Sequence, residues 1–467
     1  MPSHINRRPR RSVAALLALI LAALAAPCTI EQAASDEARV ANQPKSEYRA
    51  RRQKLLEQVK DGVIVLIGAR EEDLGEVGRF RQKNDFMYLS GVETPAAYLM
   101  LVPATLAPNK TAQEVIFIPA RNPSHERWNG VQMGPGKEAE QWFGAQEVAA
   151  AATFWPRLRE TVSSPAFKSS QAKLYTIVPA GQTAKLTREN EFIETVRRDF
   201  PHVEVASVSH LIWEMRKVKS AAEIELLQKA IDITGEAHRD VARTIKPGVY
   251  EYQVQAALEY AFMRNGSERP GFPSIVGSGI NSTILHYNTN RKRIEAGDLI
   301  VVDIGAEYSY YTADLTRTYP ATGKFTPRQR EIYQLVLDAQ RAAERAFKPG
   351  ESTVHSLYQV AADVMRASKL RDKQGRTLER YFIHGLSHWL GMDVHDVGEY
   401  RKIPAGAVLT IEPGIYIPEE NFGVRIEDDY LATDKGLVKM SARLPSDPDE
   451  IERMMAAGSQ AATGQRR

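Results

Sequence analysis

Residues 293–308, RIEAGDLIVVDIGAEY, and residues 402–417, KIPAGAVLTIEPGIYI, align without a gap at an offset of 109. Gly297 falls over Gly406, Asp303 over Glu412 and Gly305 over Gly414. The repeat extends outward. Lys246-Pro247-Gly248 and Lys348-Pro349-Gly350 each close one helical stretch and precede another, upstream of the two aligned segments. A repeated supersecondary unit predicts a domain of two related halves about a pseudo-twofold axis, each made of helices followed by a β-hairpin. Each half then delivers an acidic residue to the same place.

In the first hairpin LIVVD (299–303) reads as a buried strand and YTADLTRTY (311–319) as an alternating return strand. A turn centred on Tyr308 and Ser309 sets Asp303 directly opposite Asp314, and in the second hairpin Glu427, in VRIEDDY (424–430), takes the place of Asp314 opposite Glu412. Paired carboxylates at cross-strand distance are destabilising unless something compensates, and a cation is the simplest compensation. A lone strand-end acid is usually just solvated; recurrence at equivalent positions argues for a site. Four carboxylates with imidazole suit hard or borderline divalent ions such as manganese, and shared carboxylates set two such ions ~3.5–4 Å apart.

The imidazoles lie in YFIHGLSHWLGMDVHD (381–396), where His384, His388 and His395 are three of the ten histidines of the chain. His384 and His388 have the spacing of a zinc-protease helix. Gly385 stands where that motif needs Glu, however, and a second glycine at 391 argues against a long helix there.

From 46 to 206 helical stretches alternate with VIVLIGA (63–69), YLMLVPA (98–104), EVIFIPA (114–120) and KLYTIVPA (173–180), the pattern of an α/β domain. Ser220-Ala-Ala-Glu223 has the form of a capping box opening a helix towards 243, so the boundary is expected near 207–219 and the second domain over 216–456. A length of 467 residues accommodates two such domains.

Residues 1–35 differ. Arg7, Arg8, Arg10 and Arg11 precede the apolar run 13–26, which falls short of the ~20 residues of a membrane span. The segment reads as a signal peptide, predicting an exported protein, periplasmic or secreted, by the general or the twin-arginine route. Its four arginines and Glu31 carry the whole net charge of +3, leaving the mature chain near neutrality with no sign of nucleic-acid binding. Cys28, the only cysteine, excludes a disulfide framework, and Pro27 before it disfavours a lipid anchor.

The motifs HGLSHWLGMDVHDVG (384–398), VDIGAEYSYYTADLTRTYP (302–320), TIEPGIY (410–416) and VRIEDDY (424–430) closely resemble aminopeptidase P, a pita-bread metallopeptidase family. The likeness runs from about 46 to 455 and includes FRQKNDFMYLSGVETPAAYLML (80–101). It implies an α+β fold, with a pita-bread catalytic domain of pseudo-twofold repeat behind an α/β, creatinase-like N-terminal domain. By position, Asp303, Asp314, His388, Glu412 and Glu427 match the five metal ligands, with Asp314 and Glu427 bridging two ions, usually manganese. The resemblance further implies that His286 and His395 hold the reacting carbonyl and its oxyanion. Glu412 moves the proton, and His384, Tyr416 and Arg425 contact substrate or support those that do. Trp128 matches an aromatic that can reach a neighbouring subunit's site, so a homo-oligomer is expected.

The expected reaction is hydrolysis of the bond between any N-terminal residue and a penultimate proline. Prolidase, which takes only Xaa-Pro dipeptides, shares fold and ligands; Ser387 and Trp389 look more like aminopeptidase P. A metal-free creatinase-like hydrolase or a non-catalytic binding module typically lacks the ligand set, which is complete here.

Overall fold

The computed structural model describes residues 38–71, 80–179 and 187–464, so the segment read as a leader, with Cys28, lies outside the described residues. Strands β1 (Gly62–Ile67), β2 (Tyr98–Val102), β3 (Gln113–Ile118), β4 (Glu147–Ala150), β5 (Lys173–Thr176) and β6 (Val205–Ser207) make one mixed sheet in the order β4-β3-β2-β1-β5-β6. The pairs β1–β2 and β2–β3 are antiparallel, and β3–β4, β1–β5 and β5–β6 parallel. The apolar runs that announce β1, β2 and β3 are buried, as strands covered on both faces by helices should be, whereas β5 alternates between buried Leu174 and Thr176 and half-buried Lys173 and Tyr175. The short strands β4 and β6 carry no such run and were not expected.

Helix α1 (Ser209–Lys217 after β6) leads to α2 (Ala221–Thr244). The anticipated capping box opens α2: Ser220 Oγ accepts from Glu223 N, and Glu223 Oε2 accepts from Ser220 N. Glu223 is buried and also accepts from the Tyr311 hydroxyl at 2.9 Å, with the Arg51 guanidinium 3.3 Å away, so the cap joins the two domains.

The halves of the second domain are α2 with α3 (Glu251–Arg264) and α4 (Pro327–Ala346) with α5 (Val354–Ala367), each followed by a hairpin. In the first hairpin β7 (Leu299–Ile304) pairs with β8 (Leu315–Pro320). In the second, β9 (Val408–Ile411) pairs with β11 (Asp428–Thr433), and β10 (Gly414–Ile417) pairs with the 422–425 strand between them. All six residues of β8 are buried; the strand has protein on both faces instead of the half-exposed alternation expected of it.

The register corrects the sequence reading. Tyr308 pairs with Tyr311, so the turn centres on Ser309 and Tyr310, both with positive φ (48° and 73°). Asp303 therefore faces Thr316, and Asp314, two places away on the same face, faces Gly305. In the second hairpin one register holds from Val408↔Leu431 to Gly414↔Arg425, which sets Glu412 directly against Glu427. The pseudo-symmetric counterpart of Glu427 is thus Thr316, and that of Asp314 is Arg425. Gly305 and Gly414 face these two and are both positions where a Cβ would collide, with Ala313 O at 1.8 Å and the Tyr416 hydroxyl at 2.4 Å.

Candidate metal centre

The two hairpins meet at Thr316 and Glu427, which bridge antiparallel across the pseudo-twofold axis. Asp303 and Asp314 come from the first hairpin, Glu412 and Glu427 from the second. His388 arrives on the loop after α5, which is irregular, as its glycines predict, and contains no zinc-protease helix. His388 N donates to Thr410 Oγ1 at 3.2 Å, and Glu412 N to Leu386 O at 2.9 Å, tying the loop to β9.

His388 Nε2 lies 3.3 Å from Glu412, 3.4 Å from Asp314 and 3.9 Å from Glu427. Its Nδ1 donates to Trp389 O at 3.1 Å, so the neutral ring points a lone pair at three carboxylates. Burial, and His395 beside it, hold its pKa down to about 4, so protonation does not relieve the conflict near neutral pH. Burial and the neighbouring acids push Asp314 and Glu427 well above the usual carboxylate range, and Glu412 is pushed up to about 8 by burial against the pull of Arg425. One oxygen each of Asp303, Asp314 and Glu427 is buried without a hydrogen-bond donor. Carboxylate oxygens and an imidazole lone pair that converge with no protein donor between them fit divalent cations. Among the described residues, Asp314, His388 and Glu427 are the one set of three that can offer their ligand atoms within 4.8 Å of one another.

Beside this cluster runs a hydrogen-bonded chain. Arg425 Nη2 is 2.6 Å from Asp303, its Nη1 donates to the Tyr416 hydroxyl at 2.9 Å, and that hydroxyl reaches His384 Nε2 at 2.8 Å. Burial and Arg425 lower His384 to about 4, leaving Nε2 an acceptor. His286 and His395 line the same cavity of about 370 Å³, their rings 6.4 Å apart, and His395 packs edge-on against His388 at 4.4 Å. Every residue expected at the site is therefore in or against one pocket, except Trp128, which is 88% exposed in the first domain.

Three residues were missed. The Thr316 hydroxyl donates to Glu427 Oε2 at 2.6 Å, Asp429 accepts the Asp314 backbone N–H at 3.1 Å, and Thr410 stands between His388 and Glu412. Only Asp429, in the acidic run Glu427-Asp428-Asp429, carried a signal that could have drawn attention.

The model of metallopeptidase family M24 matches residues 225–434, and that of the aminopeptidase P N-terminal domain residues 48–168. Xaa-Pro aminopeptidase of Escherichia coli strain K12 is 34% identical over 449 residues, 88% of this chain and 98% of its own. Human Xaa-Pro aminopeptidase 3 is 32% identical over 411 residues, covering 81% and 78%. Among solved structures, zinc-substituted E. coli aminopeptidase P in complex with product superposes with a TM-score of 0.78 at 30% identity, covering 89% of this chain and 99% of that one. Proline aminopeptidase P II from Yersinia pestis gives 0.78 at 31%, covering 89% and 100%.

Proposed function

The chain belongs to the aminopeptidase P family of M24 metallopeptidases, and from that premise we propose how its own residues divide the work of removing an N-terminal residue that precedes proline. It is a metallo-aminopeptidase with a dinuclear site. The convergence of three donorless carboxylate oxygens and the His388 lone pair carries the assignment of ligands. His388, Glu412, Asp314 and Glu427 would hold one ion and Asp303, Asp314 and Glu427 the other, with manganese the metal that suits a set of four carboxylates and one imidazole. Such a pair supplies Lewis acidity and a water acidic enough to attack near neutral pH.

The protein groups do the rest. His286 and His395 donate to the scissile carbonyl oxygen and to the negative charge it gains as water attacks. Glu412 takes the proton of the attacking water and passes it to the proline nitrogen as the C–N bond breaks. Arg425 holds Asp303 and, through Tyr416, fixes His384 against the proline side of the substrate. The named relatives favour this reading over a prolidase.

Export follows from the leader read in residues 1–35, and the exposed Trp128 favours an oligomer in which it covers a neighbour's pocket. The deciding assay treats the enzyme with chelator, adds back Mn, Co or Zn, and follows release of the first residue from Xaa-Pro dipeptides and Xaa-Pro-Xaa peptides. Activity should vanish and return with metal, highest with Mn, on both lengths. Full activity without metal, or cleavage of dipeptides alone, would overturn the reading.

A further inference from the structure

A second cavity, of about 730 Å³, adjoins the first and shares His384, Gly385 and Tyr400 with it. Its floor is a ladder of rings: His355 and Tyr358 are 6.4 Å apart, Tyr358 stacks on Phe382 at 5.0 Å, and Phe382 meets His384 edge-on at 5.3 Å. The ladder thus starts at the outer face of α5 and ends at the ring that contacts Tyr416 beside the carboxylates. Ile383 and Tyr400 line it and remain 59% and 54% exposed, adding accessible apolar surface beside the rings. Among the described residues, no Asp, Glu, Lys or Arg lines it. A Cβ built on Gly385, where the cavities join, meets nothing within 4 Å, so the passage is open.

We propose that this groove is a specificity subsite for the one or two residues that follow the proline, and that it selects uncharged, apolar or aromatic side chains there. The proposal rests on the aminopeptidase reading above. An enzyme that removes a single residue has only that residue on the amino-terminal side of the cleaved bond, so a long channel out of the pocket must take the chain on the other side. The length is compatible: two ring-to-ring steps, of 5.3 and 5.0 Å, link His384 to Tyr358, at most the span of about three extended residues at ~3.3–3.6 Å each. A charged side chain would give up its hydration there with no partner in return, whereas an aromatic one would stack on Tyr358 and cover Ile383.

The test compares kcat/KM of the metal-loaded enzyme for Ala-Pro-Phe-Phe, Ala-Pro-Gly-Gly and Ala-Pro-Glu-Glu. The Phe tail should be favoured over the Gly tail by about tenfold, with the Glu tail poorest. Tyr358→Ala should bring the Phe-to-Gly ratio towards one, Tyr358→Phe should retain it, and His355→Glu should turn the preference towards a Lys tail over a Glu tail. Equal rates on all three tails, or a ratio that Tyr358→Ala leaves intact, overturns the subsite. If Tyr358→Ala instead changes the ratio between Phe-Pro-Gly-Gly and Gly-Pro-Gly-Gly, the groove holds the first side chain and the assignment is wrong. Failure to cleave any of these peptides would count against the aminopeptidase reading itself.

Discussion

Thr316 and Glu427 face each other where the two hairpins meet, Glu427 N donating to Thr316 O at 3.1 Å while the Thr316 hydroxyl donates to Glu427 Oε2 at 2.6 Å. That hydroxyl leaves the other Glu427 oxygen free to turn towards His388. A hydrogen bond to a charged group is worth ~1.5–3 kcal/mol, and partners that orient a ligand typically matter 10- to 100-fold. Thr316→Val should therefore lower metal affinity, read by calorimetric titration, by about tenfold or more, and Thr316→Ser should restore most of it. Unchanged affinity in the Val variant would remove Thr316 from the account.

Sharing of ligands predicts different metal contents. Asp314 and Glu427 serve both ions in the proposed arrangement, and His388 serves one. Asp314→Ala and Glu427→Ala should leave less than one tightly held ion per chain by elemental analysis, and His388→Ala about one. The same content in all three variants contradicts the bridging assignment.

The metal-free protein should lose stability as pH rises above neutrality. Burial raises Asp314, Glu412 and Glu427 in the folded chain, Glu412 to about 8. Their contribution is fully present below the unfolded carboxyl value and is lost as pH climbs towards the folded one. His384 and His388, lowered to about 4, add stability as pH rises, but only up to the ordinary histidine value of ~6.5. From pH ~6.5 to ~8 the carboxyls act alone. The Tm of chelated enzyme should fall across that window, and saturating metal should reverse the trend, because binding releases the same protons. A Tm that rises with pH in the chelated protein would be incompatible with this.

Arg216, buried on α1, holds Asp85 of the first domain and Asp393 of the histidine loop, each at 2.7 Å, and Asp396 at 2.5 Å; Lys219 adds a second cation to Asp396. Breaking such a buried set costs ~3–5 kcal/mol. Arg216→Ala should lower Tm by several degrees and, because Asp396 follows His395, lower kcat more than it raises KM, with metal content kept. A folded variant with unaltered kcat would make the network purely structural.

Much of this site was legible because its chemistry is spelled in rare residue types at repeated positions. Asp303 and Glu412 align at one offset, and His384, His388 and His395 crowd one loop. The first hairpin's register was not legible. Its turn puts Ser309 and Tyr310 at positive φ, where glycine or asparagine normally signals such a turn, and a tyrosine there gives no warning. The resulting shift of two places hid the equivalence of Glu427 with Thr316. Edge strands β4 and β6 were missed for a related reason: four and three residues are too few to show a period, and their place comes from parallel pairing with strands distant in the chain.

The mismatch between the two hairpins bears on direction. A peptide reads differently from its two ends, and a pocket with true twofold symmetry would receive it equally well either way round. Here the axis relates Thr316 to Glu427 and Asp314 to Arg425, so one hairpin brings two carboxylates and a hydroxyl and the other two carboxylates and a guanidinium. The duplicated scaffold supplies a rigid cradle, and these two departures give it a head and a tail. In the proposed arrangement the departing chain leaves past His384, which Tyr416 ties to that guanidinium, so the bond would be presented in one orientation only.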